Sequence, residues 1–214
     1  MSLDKESLQS LFDEESSEAI GQLYEEKFAA ALNELEVRGE VRGFRFTKRF
    51  SREDRAGIDC WIELERNHSI PFQITSTKRH RMERSQLHPE IPGLHVRDRH
   101  GLKSTERLAR QILSRLYRFQ FKMALRALEQ EGKISSWKST RQEHQIRRRG
   151  IDYLVVSTKD QVFPFTVMPS LRHTVAREAL DPKVHLVPIK DESGWKSLAE
   201  IKEEIMKMIA QEGV

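Results

Sequence analysis

At 214 residues, with 37% apolar content and a net charge of +4, the chain is long enough to bury a core, either as one domain or as two small ones. A single cysteine, Cys60, excludes an internal disulfide and a thiolate metal cage. No apolar run approaches the roughly 18 residues that a membrane span needs, and the acidic start is unlike a secretory signal, so a soluble protein of the reducing cytoplasm is expected.

Near the N-terminus, the run Asp13-Glu14-Glu15-Ser16-Ser17 either breaks an opening helix or solvates its outer face. Over residues 18–38 apolar side chains fall at helical spacing, with Phe28, Leu32 and Leu35 on one ridge and Gly39 as the stop. Three strand-like segments follow at 41–50, 58–65 and 70–77. The short link 65–69 makes the second and third antiparallel neighbours. A short helical piece at 82–87, a strand at 91–96 and a long amphipathic helix at 103–130 complete a first set. A second set repeats the order, with strands at 134–137, 151–157 and 162–168, a helical piece at 173–180, a strand at 184–189 and a final helix at 195–210.

The two sets share more than their order. Gly57-Ile58-Asp59 recurs as Gly150-Ile151-Asp152, and the same offset of 93 pairs Phe28 with Phe121, Gly39 with Gly132, Pro71-Phe72 with Pro164-Phe165 and Pro89 with Pro182 without a gap. A period this long suits a small domain rather than a solenoid repeat of about 20–50 residues. The expected fold is therefore α/β: two tandem αβββαβ repeats, 1–101 and 102–214, packed as a pseudo-dimer with the helix at 103–130 shared at the junction.

Charge is segregated along the chain. Residues 1–40 carry 3 basic and 11 acidic side chains, 41–150 carry 26 and 12, and 151–214 carry 8 and 10. A single basic cluster is ordinarily a solvated surface. Together, Lys78, Arg79, Arg81 and Arg84 with Arg147, Arg148 and Arg149 favour a polyanion, and nucleic acid is the expected partner. The histidines His68, His80, His88, His95 and His100 lack zinc-type spacing.

The element order, an Asp opening the second strand and a polar residue midway along the third resemble the PD-(D/E)XK nuclease superfamily, over nearly the whole of each repeat. The resemblance implies a helix Glu, a strand Asp and a Glu or Gln followed two residues later by Lys, with Mg²⁺ held by the carboxylates. In the first repeat these fall on Glu25, Asp59 and Gln73, with Glu25 continuing the buried ridge toward the sheet edge and Glu25 and Asp59 as metal ligands. Thr75 stands where the family has Lys. Lys78 is the nearest replacement, with the strand parity of the opposite face. In the second repeat Asp152 remains, but Arg118 replaces Glu25, Thr166 replaces Gln73 and Met168 replaces Thr75, so that copy is expected to be inert. An Asp kept in an inert copy points equally to a structural role, such as capping its own turn or pairing with Arg55. Three functions follow as expectations: a divergent metal-dependent nuclease, an inactive relative that binds nucleic acid, and a protein-interaction module.

Overall fold

A computed structural model describes residues 5–65, 68–75, 87–88, 90–140, 150–170 and 184–211. The expected helical pieces at 82–87 and 173–180 lie almost entirely outside these residues. The chain divides into two compact units, Met1–Leu113 and Ser114–Val214, of mixed α/β composition with four helices and three sheets among the described residues. No helix among them is long and apolar enough to cross a membrane.

The first unit opens with helix α1 (Lys5–Val37), which runs unbroken through the acidic stretch. Phe28, Ala31, Leu32 and Leu35 form its fully buried ridge. Gly39 ends it at φ +67°, a left-handed position that suits a residue without a side chain. The Gly39 N–H donates to the Glu36 carbonyl and the Glu40 N–H to the Leu35 carbonyl, closing the helix end in a Schellman motif.

A four-stranded sheet follows, in the order β1 (Gly43–Phe46), β2 (Cys60–Glu65), β3 (His68–Thr75), β4 (Gly93–His95). β1, β2 and β3 are antiparallel neighbours, as the short link implied, and β4 runs parallel to β3. The expected strand at 41–50 is shorter than its pattern. After Phe46 the backbone turns away, because the Phe50 N–H is taken by the Asp54 carboxylate and Ser51 caps the short helix α2 (Arg52–Arg55). Alternation on β2 buries Cys60, Ile62 and Leu64. Phe72 of β3 meets Phe28 of α1 at a ring separation of 5.4 Å. The small ribbon of β5 (Arg97–Asp98) and β6 (Gly101–Leu102) leads into the long helix α3 (Thr105–Gln130), within which the boundary between the units falls.

In the second unit the sheet order is β11-β10-β9-β8-β7, with β7 (Ile134–Ser139), β8 (Tyr153–Ser157), β9 (Val162–Ser170), β10 (His185–Asp191) and β11 (Gly194–Trp195). β7 to β10 repeat the directions of β1 to β4. The registers repeat too. Phe46 faces Cys60 as Ser139 faces Tyr153, Cys60 faces Phe72 as Tyr153 faces Phe165, and Gln73 faces Gly93 as Thr166 faces Leu186, each pair displaced by 93 residues. Phe121 and Phe165 lie 5.9 Å apart, at the positions that correspond to Phe28 and Phe72. Gly132 closes α3 with the same two hydrogen bonds that Gly39 makes at α1. The last helix, α4 (Leu198–Gln211), begins three residues later than its apolar pattern, since Trp195 pairs with Lys190 in the sheet and Ser197 and Glu200 form a capping box.

Phe72→Ala is expected to cost about 3–5 kcal/mol, and Gly39→Ala about 1 kcal/mol with no steric clash added. Denaturant unfolding of the two variants checks both values.

Candidate functional site

The Gly57-Ile58-Asp59 segment joins α2 to β2. Gly57 takes φ +77°, and Gly150 takes φ +81° at the equivalent place. Thr47, just past β1, holds the segment from one side. Its hydroxyl donates to the Ile58 carbonyl at 2.7 Å, and its N–H donates to the Asp59 carbonyl at 3.0 Å.

Asp59 then grips the central strand on either side of Gln73. Its N–H donates to the Phe72 carbonyl at 3.0 Å, and its Oδ2 accepts the Ile74 N–H at 2.5 Å. A carboxylate in that place continues the β-ladder where the strand itself has not yet begun, and a hydrogen bond to a charged group contributes about 1.5–3 kcal/mol. Cys60, next along, is fully buried. Burial first and the negative charge of Asp59 second push its thiol well above the ordinary range, so it stays protonated and unreactive.

The same clasp exists in the second unit. Thr140 bonds the Ile151 and Asp152 carbonyls, the Asp152 N–H bonds the Phe165 carbonyl, and Asp152 Oδ2 accepts the Val167 N–H at 3.3 Å. Asp59 therefore has a structural duty that its counterpart shares. Its partner in that duty is the neighbouring strand, where the sequence suggested Arg55, which is exposed. The clasping threonines escaped the sequence reading, although Thr47 and Thr140 are themselves 93 residues apart.

The two units part company around the clasp. In the second, Arg118 Nη2 sits 3.0 Å from Asp152 Oδ1, and the Thr166 hydroxyl donates to the Gly150 carbonyl. The anion is neutralised and the polar side chain on the central strand is satisfied. In the first, Gln73 is 1% exposed and its Nε2 has no hydrogen-bond partner. A Cβ placed on Gly57 would lie 2.8 Å from Gln73 Nε2 and 3.0 Å from His88 Nε2, and one placed on Gly93 would lie 3.4 Å from Gln73 Cβ. A side chain at 57 would have to displace that amide and imidazole, whereas a Cβ at 93 would make only ordinary contact with Gln73. His88, half-buried with Glu90 Oε1 3.9 Å from its Nδ1, thus joins the cluster through the fold and not through any sequence spacing.

Of the residues expected at a site, Asp59 and Gln73 come together. Glu25 corrects the sequence reading: it is exposed on α1 and does not continue the buried ridge. Arg118, at the corresponding place, is drawn to Asp152 by opposite charge, whereas Glu25 and Asp59 carry like charges that repel. Thr75, in the place of the family's lysine, is 6% exposed, and its hydroxyl bonds the Leu94 carbonyl at 3.3 Å. Lys78, Arg79, Arg81, Arg84, Arg147, Arg148 and Arg149 lie outside the described residues. Among the described residues no group of three or more His, Cys, Asp or Glu side chains is arranged to hold a metal ion. In comparisons with known proteins, the chain matches no family model, no curated protein and no solved structure.

Asp59→Ala is expected to lower stability by about 2 kcal/mol, and Asp59→Asn by less, because the amide oxygen still accepts the Ile74 N–H. Arg118→Met, which leaves Asp152 without its cation, is expected to cost about 1–3 kcal/mol. Thermal melts of the three variants against wild type measure these differences.

Proposed function

We propose that the chain is a divergent tandem duplication of a PD-(D/E)XK-like unit, that it acts on or binds nucleic acid, and that only the first unit keeps a site for phosphodiester chemistry. The observation that carries this reading is the buried Gln73 amide, left with an unmet donor beside Asp59 and His88, where the second unit has closed the equivalent position with Thr166 and Arg118. A buried, unsatisfied polar group is costly, and its persistence calls for a purpose such as holding a ligand or an ordered water. The basic central third of the chain supports a polyanionic partner.

Magnesium is the ion that the resemblance implies; Glu25, exposed on α1, does not serve it in this reading, which leaves Asp59 as the carboxylate and the rest of the shell to water. Asp59, with one carboxylate oxygen given to Ile74, would be the ligand, and Gln73 would orient bound water. Mg²⁺ is commonly held by one or two carboxylates and keeps several waters. Bound there, it would supply a more acidic water and offset the charge on the phosphate. Lys78 takes the place of the displaced lysine in this reading, and Lys78, Arg79, Arg81, Arg84, Arg147, Arg148 and Arg149 the contacts to the phosphate backbone.

Buried Thr75 favours a second reading, in which the protein binds nucleic acid without cutting it. A threonine hydroxyl tied to a strand carbonyl carries no positive charge to the nucleophile.

A panel of single- and double-stranded DNA and RNA with Mg²⁺ or Mn²⁺ separates the two. Cleavage that falls by about 100-fold or more in Asp59→Asn, with the variant still folded, supports the nuclease. Cleavage that survives the substitution removes the site, and binding without cleavage selects the second reading. In either case the logarithm of the binding constant is expected to fall linearly with the logarithm of salt concentration. Affinity that does not change with salt would sink both.

A further inference from the structure

Between β1 and α2 the chain presents Lys48-Arg49-Phe50-Ser51-Arg52, and Phe50 at its tip is 82% exposed. Two features set this phenyl apart from the other exposed apolar side chains. Its backbone lies at φ +61°, a left-handed conformation that glycine or asparagine adopts readily and an aromatic residue rarely does. It is also surrounded in sequence by Lys48, Arg49, Arg52 and Arg55, all exposed.

The strain is held in place by the fold. The Phe50 N–H donates to Asp54 Oδ2 at 2.7 Å, and Ser51 Oγ accepts the Asp54 N–H at 3.2 Å. Glu53 is drawn the other way, to the Arg45 guanidinium at 2.9 Å and the Trp61 indole at 3.1 Å. Glu53 and Asp54 are thus occupied, and the four basic residues of the loop are exposed. At its base Thr47 is bonded to Ile58 and Asp59, so the loop is anchored on the same segment as the candidate site. A ring kept exposed at a conformational cost, on a rigid loop ringed by positive charge, matches what a base of single-stranded nucleic acid requires. The ring offers a face for stacking, and the cations neutralise the phosphates on either side. The second unit has Glu143 at the corresponding sequence position, with Gln142 and Gln145 for Arg49 and Arg52 but Arg141 and Arg148 for Lys48 and Arg55, so its sequence lacks the ring and keeps two of the four cations.

We propose that Phe50, flanked by Lys48, Arg49, Arg52 and Arg55, is a stacking platform for an unpaired base of single-stranded nucleic acid. The proposal rests on the nucleic-acid reading given above and adds the strandedness of the partner and the residue that recognises it. Duplex bases, already stacked on one another, offer no free face to a protruding ring.

Binding of dye-labelled oligothymidine, its duplex with oligoadenine, and heparin, which has charge but no bases, tests this with Phe50→Asn and Phe50→Trp. Asparagine accepts the left-handed backbone, so Phe50→Asn is expected to melt at or above the wild-type temperature while binding oligothymidine about tenfold more weakly. Phe50→Trp retains the affinity, and heparin binding is the same in all three proteins. Equal oligothymidine binding by wild type and Phe50→Asn overturns the platform and leaves the nucleic-acid reading intact. So does a parallel loss of heparin binding, or a preference for the duplex. Wild-type protein that binds neither oligonucleotide overturns the nucleic-acid reading itself.

Discussion

The hydrogen bond from a backbone N–H of the central strand to an aspartate carboxylate, Ile74 to Asp59 and Val167 to Asp152, is the constraint on which each unit turns. The second strand begins one residue after the aspartate in both cases, so the carboxylate acts as an extra rung of the ladder. It brings the positive-φ glycine, the threonine after the first strand and the polar residue of the central strand to one point. Shifting any of them by one residue would point a side chain to the opposite face of the sheet.

Given that shared frame, small changes in residue type decide what each unit can do. Arg118 supplies a fixed positive charge to Asp152, and Thr166 is short enough to reach the Gly150 carbonyl, so both groups are satisfied at this place in the second unit. Gln73 is one of the few buried side chains with an unmet hydrogen-bonding group among the described residues of the first unit, and Gly57 leaves space for its amide. The sites differ in the side chains around the clasp, and not in backbone register. The aspartate has a folding role in both units, so its presence by itself says little about catalysis. What distinguishes the first unit is the group beside the aspartate.

The loop after β1 belongs to the same local system. Thr47 ties its base to the aspartate segment, and Ser51 and Asp54 close its far side. The Phe50 and Asp54 N–H groups are taken by side chains of the loop and the Ser51 N–H by the Lys48 carbonyl, which lifts Phe50 out of the strand that the apolar pattern implied. A local polar network has outcompeted β-propensity over four residues.

Much of the fold was legible in the chain. Apolar spacing located α1 and α3, alternation located β2 and β8, and the offset of 93 residues anticipated the strand registers, the glycine helix ends and the aromatic pairs, because periodicity and positive-φ glycines are properties of local sequence. Asp59 and Gln73 were singled out only by the resemblance, and the backbone of the fold brings them side by side. Tertiary structure decided the rest. It exposed Glu25, buried Thr75, gave Asp59 a strand N–H as partner in preference to Arg55, and brought His88 to Gln73 across a positive-φ glycine. These outcomes depend on which groups far apart in the chain share a small volume and on whether their charges and hydrogen-bonding groups are matched there, and spacing along the chain carries no record of either.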